Sequence, residues 1–165
     1  MAVGSSAMCG TFKREILAGI HFLTAHTRTG SSAISADTLK VAMFTNSSSI
    51  DADTTGYTTS NEVSGTNYSA GGAALGSVTI GLGDNSSSVP TAFVDFADTT
   101  FSSSTISDAR GALIYNTAGT GSTTNHAADP AVAVINFGGD KSSSAGDFTI
   151  QYPANDANNA IIRIA

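Results

Sequence analysis

Tryptophan is missing from this chain, cysteine occurs once and proline three times. Each shortage excludes something. A single Cys9 cannot form an internal disulfide, so the fold must be held by packing and hydrogen bonds. Sugar-binding sites usually present aromatic platforms. Here there is no Trp, and the four tyrosines (57, 68, 115 and 152) are spread along the chain, which disfavours a carbohydrate-binding module. Charge is scarce as well: Asp, Glu, Lys and Arg make up 12% of residues, against about a quarter in a typical soluble protein. The seven basic residues are scattered, with only Lys13 and Arg14 adjacent. A surface that tracks phosphates needs clustered cations, so nucleic acid is not expected as a partner. No apolar run approaches the length of a bilayer span, and a membrane partner is not expected either. Residues 1–10 show no basic region leading into a long apolar core, so no secretory signal is expected there.

What the chain does have is Ser, Thr, Gly, Asn and Asp between short apolar or alternating runs. The net charge is −6, and eleven of the thirteen acids are Asp. Asp is a turn residue because its short carboxylate bonds to the backbone two residues on. The periodicity predicts strands at 39–45, 63–68, 75–82, 92–97, 99–105, 109–116, 131–137, 147–152 and 159–164, with the 99–105 segment at an edge. The Ala112-Leu-Ile-Tyr115 run is apolar on both faces and reads as a central strand. Gly71-Gly72, Gly83-Asp84-Asn85, Gly138-Gly139-Asp140 and Asn155-Asp156 read as turns, and 117–130, which carries His126, reads as the longest loop tip. A chain ending in Ile162-Arg163-Ile164 is expected to stitch that end into a sheet. The expected fold is mainly β, an antiparallel sandwich of the jelly-roll or immunoglobulin-like kind, with one N-terminal amphipathic helix.

Residues 1–10 read as a flexible arm. Phe12, Ile16, Ile20 and Leu23 then recur at helical spacing, with Thr11 as the expected N-cap and Gly19 as a weak point within about three turns. Two readings of this helix follow: it covers one end of its own sandwich, or it reaches with the arm onto a neighbouring subunit. The chain divides accordingly into an arm and helix at 1–26 and a β-domain at 27–165.

Few residues carry the spacing of chemistry. The segment from Asp51 to Glu62 matches a twelve-residue calcium loop, with Asp51 at position 1, Asp53 at 3, Thr55 at 5, Gly56 at 6 and Glu62 at 12. Thr at positions 5 and 8 and a preceding strand depart from that pattern, and an ordinary polar loop is the expected outcome. His21 and His26 are five apart, which does not place two ligands on one helical face, and His126 is remote. Neither a G-x-S-x-G elbow nor a Walker loop is present, and Asp95 with Asp98 lacks any second catalytic feature. No catalytic residues, cofactor or enzymatic activity are expected.

Six phrases stand in one order along nearly the whole chain: Thr11-Phe-Lys-Arg-Glu-Ile-Leu-Ala-Gly-Ile-His21, Thr38-Leu-Lys-Val-Ala-Met-Phe-Thr45, Tyr57-Thr-Thr-Ser-Asn-Glu-Val-Ser-Gly-Thr-Asn-Tyr-Ser-Ala-Gly-Gly72, Val94-Asp-Phe-Ala-Asp98, Ala109-Arg-Gly-Ala-Leu-Ile-Tyr-Asn116 and Ala131-Val-Ala-Val-Ile-Asn-Phe-Gly138. Together they resemble a family of small structural proteins of tailed bacteriophages. The resemblance implies a virion protein, placed at the head as a cement or decoration protein on the capsid exterior. Its partners would be the major capsid protein and copies of itself, by analogy a trimer. Phe12, Ile16, Ile20 and Leu23 would then be partner contacts. A tail-associated or spike-attached β-protein is the alternative placement.

Overall fold

The computed structural model describes residues 2–27, 32–118 and 126–165. Its organising feature is a long antiparallel ribbon. Strand β9 (Thr99–Asn116) pairs with β10 (Ala131–Ile150) from Tyr115 opposite Ala131 down to Thr99 opposite Ile150. On the far side of β9 lies β4 (Leu39–Thr45), which in turn pairs with the short β6 (Ala73–Ala74). Strand β1 (Ala7–Met8) adds to β10, and β5 (Gly65–Thr66) pairs with the outer part of β9. A second antiparallel sheet holds β7 (Thr79–Asp84), β8 (Pro90–Asp95) and β11 (Ile162–Ile164) in the order β11-β8-β7. Strands β2 (His26–Thr27) and β3 (Ala33–Ile34) form a small separate pair. The fold is thus mainly β and antiparallel, with two sheets sharing one core and one short helix, α1 (Gly10–Leu17).

Strands apolar on both faces lie where both faces are covered, which removes the need for alternation. Leu39, Val41, Ala42, Met43 and Phe44 of β4 are at most 1% exposed, and Ala112 to Tyr115 of β9 at most 3%. Successive side chains of a strand point to opposite faces. Accordingly Tyr115 stacks on Tyr57 at 4.5 Å, while its neighbour Asn116 bonds His21 from the other side.

The ribbon replaces two pairs of shorter predicted strands, 99–105 with 109–116 and 131–137 with 147–152. The chain runs through the intended breaks by bulging. Ser103 (φ 50°) and Asp108 (φ 58°) on β9, and Gly138 (φ 73°) and Ala145 (φ 49°) on β10, are left-handed. Between Asn136 opposite Gly111 and Lys141 opposite Ala109, five steps along β10 match two along β9. Gly138-Gly139-Asp140 is therefore a bulge inside a strand and not a turn. Each extra residue resets the pleat. Thr99 and Phe101 are buried, then Ser104 and Ile106, then Ala109, so every parity slip on β9 keeps the same face inward.

The N-terminal segment is woven into this body, contrary to the expected flexible arm. Val3 is 6% exposed and Cys9 fully buried, Gly4 N–H donates to Ile50 O at 2.8 Å, and Asn136 Nδ2 donates to the carbonyls of Val3 and Gly4. Helix α1 is also shorter than its periodicity suggests. Cys9, not Thr11, occupies the N-cap. Gly19 (φ 68°) ends the helix: its N–H bonds Ile16 O at 3.0 Å and Ile20 N–H bonds Glu15 O at 3.0 Å, the paired bonds of a Schellman motif. Ile20 and Leu23 consequently lie beyond the helix. The loop tip expected at 117–130 falls partly outside the described residues.

Candidate functional site

The predicted partner contacts turn inward. Phe12 is fully buried, with its ring 4.7 Å from that of His21, and burial of such a ring contributes about 1.5–3 kcal/mol. Ile16 and Leu23 are half-buried against the core, and Ile20 is half-buried. Phe12 is therefore a core residue, not a partner contact, because α1 lies over the main sheet beside β10. The reading in which the helix covers its own sandwich holds for this face. On the outer side of the helix Leu17 is an open apolar residue, at 90% exposure, beside the exposed Lys13 and Arg14.

The Asp51–Glu62 segment is not gathered as a cation site. Asp51 Oδ1 accepts the Asp53 N–H at 2.9 Å, and Asp51 N–H donates to Thr54 Oγ1 at 2.8 Å, a local turn of the kind short carboxylates build. The Thr55 carbonyl is taken by Ala131 N–H at 3.0 Å. Glu62 faces elsewhere: Oε2 accepts from Tyr57 Oη at 2.6 Å, and Oε1 accepts from Tyr68 Oη at 2.7 Å and from Gly71 N–H at 2.8 Å. Among the described residues no group of three or more His, Cys, Asp or Glu is placed to hold a metal.

Glu62 instead centres a tyrosine cluster that sequence distance conceals. Tyr115 Oη donates to Gly71 O at 2.8 Å, and Met43 N–H donates to Tyr68 Oη at 2.9 Å. Burial, then the bond to the Glu62 carboxylate, push the phenols of Tyr57 and Tyr68 well above their ordinary range, and burial lifts Tyr115 to about 12. Neutral tyrosines that all donate form a bracket tying the 57–71 segment to β4 and β9.

A second polar network lies under α1. Glu15 and the His21 side chain are buried, with Nε2 to Oε2 at 2.9 Å. Asn116 Oδ1 accepts from Ala118 N–H at 2.9 Å, which turns its Nδ2 toward His21 Nδ1 (3.0 Å) and Asp37 Oδ2 (2.6 Å). With Asn116 Nδ2 donating to His21 Nδ1, Nε2 is left to donate to Glu15 Oε2. Nearby Cys9 is pushed up to about 12, by burial first and then by Asp51 and Glu15, and its thiol is correspondingly inert. His26 is exposed and bonds the Thr24 carbonyl at 3.3 Å, and His126 bonds the Ala127 carbonyl at 2.8 Å. Asp98 accepts the Tyr152 N–H, while Asp95 is 4% exposed with Oδ1 unpartnered. These groups do not converge on one cleft.

What the sequence reading missed is on the second sheet. Ile80 pairs with Val94 and Val94 with Ile162; one step along, Leu82 pairs with Ala92 and Ala92 with Ile164. Directly paired residues share a face. Val94 (7%) and Ile162 (1%) are buried in the common core, while Ile80 (52%), Leu82 (76%) and Ile164 (46%) stand open. Between this face and the α1 region lies an apolar cleft of about 280 Å³, lined by Ile16, Phe22, Leu23, Ile80, Ala92 and Ile164 among others. The signal was present in Thr79-Ile-Gly-Leu-Gly-Asp84: apolar residues alternate with glycine, so beyond Thr79 one face of that strand carries all its side chains. The candidate functional site is therefore a surface, the open apolar strip on β7, β8 and β11. Set against family models, curated proteins and solved structures, the chain matches none of them.

Proposed function

We propose that this protein is a structural component of a tailed-bacteriophage particle, a cement or decoration protein seated on the capsid exterior beside the major capsid protein. The observation that carries the reading is the apolar strip on the second sheet, borne by a densely filled β-body. Side chains as open as Leu82 and Ile80, set side by side on one face, are the mark of a surface made to be covered. The order of sequence phrases that resembles phage structural proteins supports the same reading. So does the scarcity of charge, since the surface is left to hydroxyls and amides suited to wide contacts made of many weak bonds. A shell bridged by many copies gains stability through avidity even when each contact is small.

The Phe12 position changes how such a protein would grip. Its helix is used internally, so contacts fall to the second sheet and to exposed loops. The decisive measurement is the amount of this protein relative to the major capsid protein in purified particles. Copy numbers comparable with shell subunits are the expected result. A handful of copies that travel with isolated tails would move the protein to the tail, and its absence from particles would end the proposal.

A further inference from the structure

We infer that strand β7 is the pairing edge of a symmetric dimer, in which Ile80 of one copy faces Leu82 of the other. The inference rests on the reading that the protein works within an assembly, and it names the first neighbour: a second copy of this chain. Among the described residues no backbone hydrogen bond reaches the outer side of Thr79–Asp84, so the strand presents a free ladder of donors and acceptors. Other edges in the molecule are defended. Strand β11 has three residues and β6 two, while β10 beyond Asn136 is bulged and carries Asp140, Lys141 and Asp147. By contrast β7 runs six residues in unbroken register with β8, from Thr79 opposite Asp95 to Asp84 opposite Pro90. It has no Lys, no Pro and no bulge.

Self-complementarity selects the occupant. In antiparallel pairing about a two-fold axis at Gly81, Ile80 meets the other copy's Leu82 on one face, and the two Gly81 residues meet at the centre. On the second face the Phe93 ring lies over Gly81 and fills the space a side chain there would take, so the Phe93 rings of the two copies come together across the axis. Charge does not bar the same partner. Two chains of net charge −6 repel, yet the only charged residue in β7 is Asp84 at its end, which this register places opposite Val78. The two small sheets would merge into one of six strands, with the open apolar strips side by side. A six-residue pairing with a few apolar side chains is smaller than the roughly 800 Å² per partner of a standard interface. The dimer is therefore expected to be weak in dilute solution and to fill as concentration rises.

The test uses the whole protein. Sedimentation velocity across a concentration series should show wild type passing from monomer to dimer. Leu82→Lys should shift the midpoint upward by about tenfold or more, with unchanged circular dichroism and melting, the loss expected for charging a central contact. An oxidised equimolar mixture of Ile80→Cys and Leu82→Cys proteins should yield a covalent dimer, while either variant alone should not. The inference is overturned by a wild type that stays monomeric at every concentration. It is equally overturned by a trimer, or by single-cysteine variants that cross-link as well as the mixture. If wild type is monomeric and Leu82→Lys loses only its binding to particles, the strip belongs to the shell and not to a second copy, and the virion reading survives the failure.

Discussion

Two sheet edges of this molecule are built on opposite rules. Along β10, beyond the point where β1 ends its cover, Gly138 and Ala145 bend the strand, Asp140 and Lys141 charge it, and the hydrogen-bond ladder is broken four times between Asn136 and Phe148. Along β7 there is continuous register, no bend and open Ile80 and Leu82. An exposed edge is an invitation to another strand, and natural proteins either discourage it or use it. The contrast within one chain of generally low charge teaches that β7 is left open while β10 is closed.

The largest expected effect comes from breaking the closure of β10. Strand β1 covers Ala133 and Val134, in the apolar stretch of that edge, and Val3 fills space beside Gly111. Deleting residues 2–8 should leave no soluble folded body, seen as aggregation and dye binding to exposed apolar surface. A deletion variant that remains monomeric with the wild-type melting curve would show that the cover is dispensable.

The second sheet holds a cost of its own in Asp95. Burial raises its carboxyl above the ordinary range, outweighing the Phe96 and Ile161 N–H bonds that pull it down. A carboxyl whose folded value lies above its unfolded value stabilises the fold at low pH. That contribution is lost as pH rises from the unfolded value through the folded one. Asp95→Asn should therefore raise the melting temperature at neutral pH, with the gain vanishing in acid. A gain that persists undiminished in acid would trace the effect to something other than the charge.

The smallest effect tests the bulges of β10. Ala145 holds a left-handed φ of 49°, which costs a residue bearing Cβ about 1–2 kcal/mol. Glycine there relieves the strain but adds unfolded-chain entropy of about 0.4–1 kcal/mol. Ala145→Gly should stabilise by roughly 0.5–1 kcal/mol on the balance of those two contributions, measured by denaturant midpoint. Destabilisation would mean that the Ala145 methyl contributes packing that its exposed position does not suggest.

Much of this could be read from residues in order. The 39–45 strand falls where its apolar run places it, Ala112 to Tyr115 is central, and Ile162–Ile164 is stitched to β8. Three things were hidden for identifiable reasons. Gly138-Gly139 has the composition of a turn, and only the partner strand reveals that the chain continues past it. Gly19 was read as a weakness inside a helix, although Gly at a helix end is a stop signal. Tyr57, Tyr68 and Tyr115 looked scattered because their meeting at Glu62 depends on which segments the sheet brings together.

By itself the amino-acid order determined the β character, the antiparallel turns and the burial of the central strands, because side-chain period and turn chemistry act over a few residues. Tertiary structure decided which apolar residues were spent inside and which were left out. Phe12 lost its freedom to touch a partner because the main sheet lay beneath it, and Leu82 kept its own because no element among the described residues covers it. Burial is a property of neighbours, and neighbours distant in sequence are set only when the sheets close.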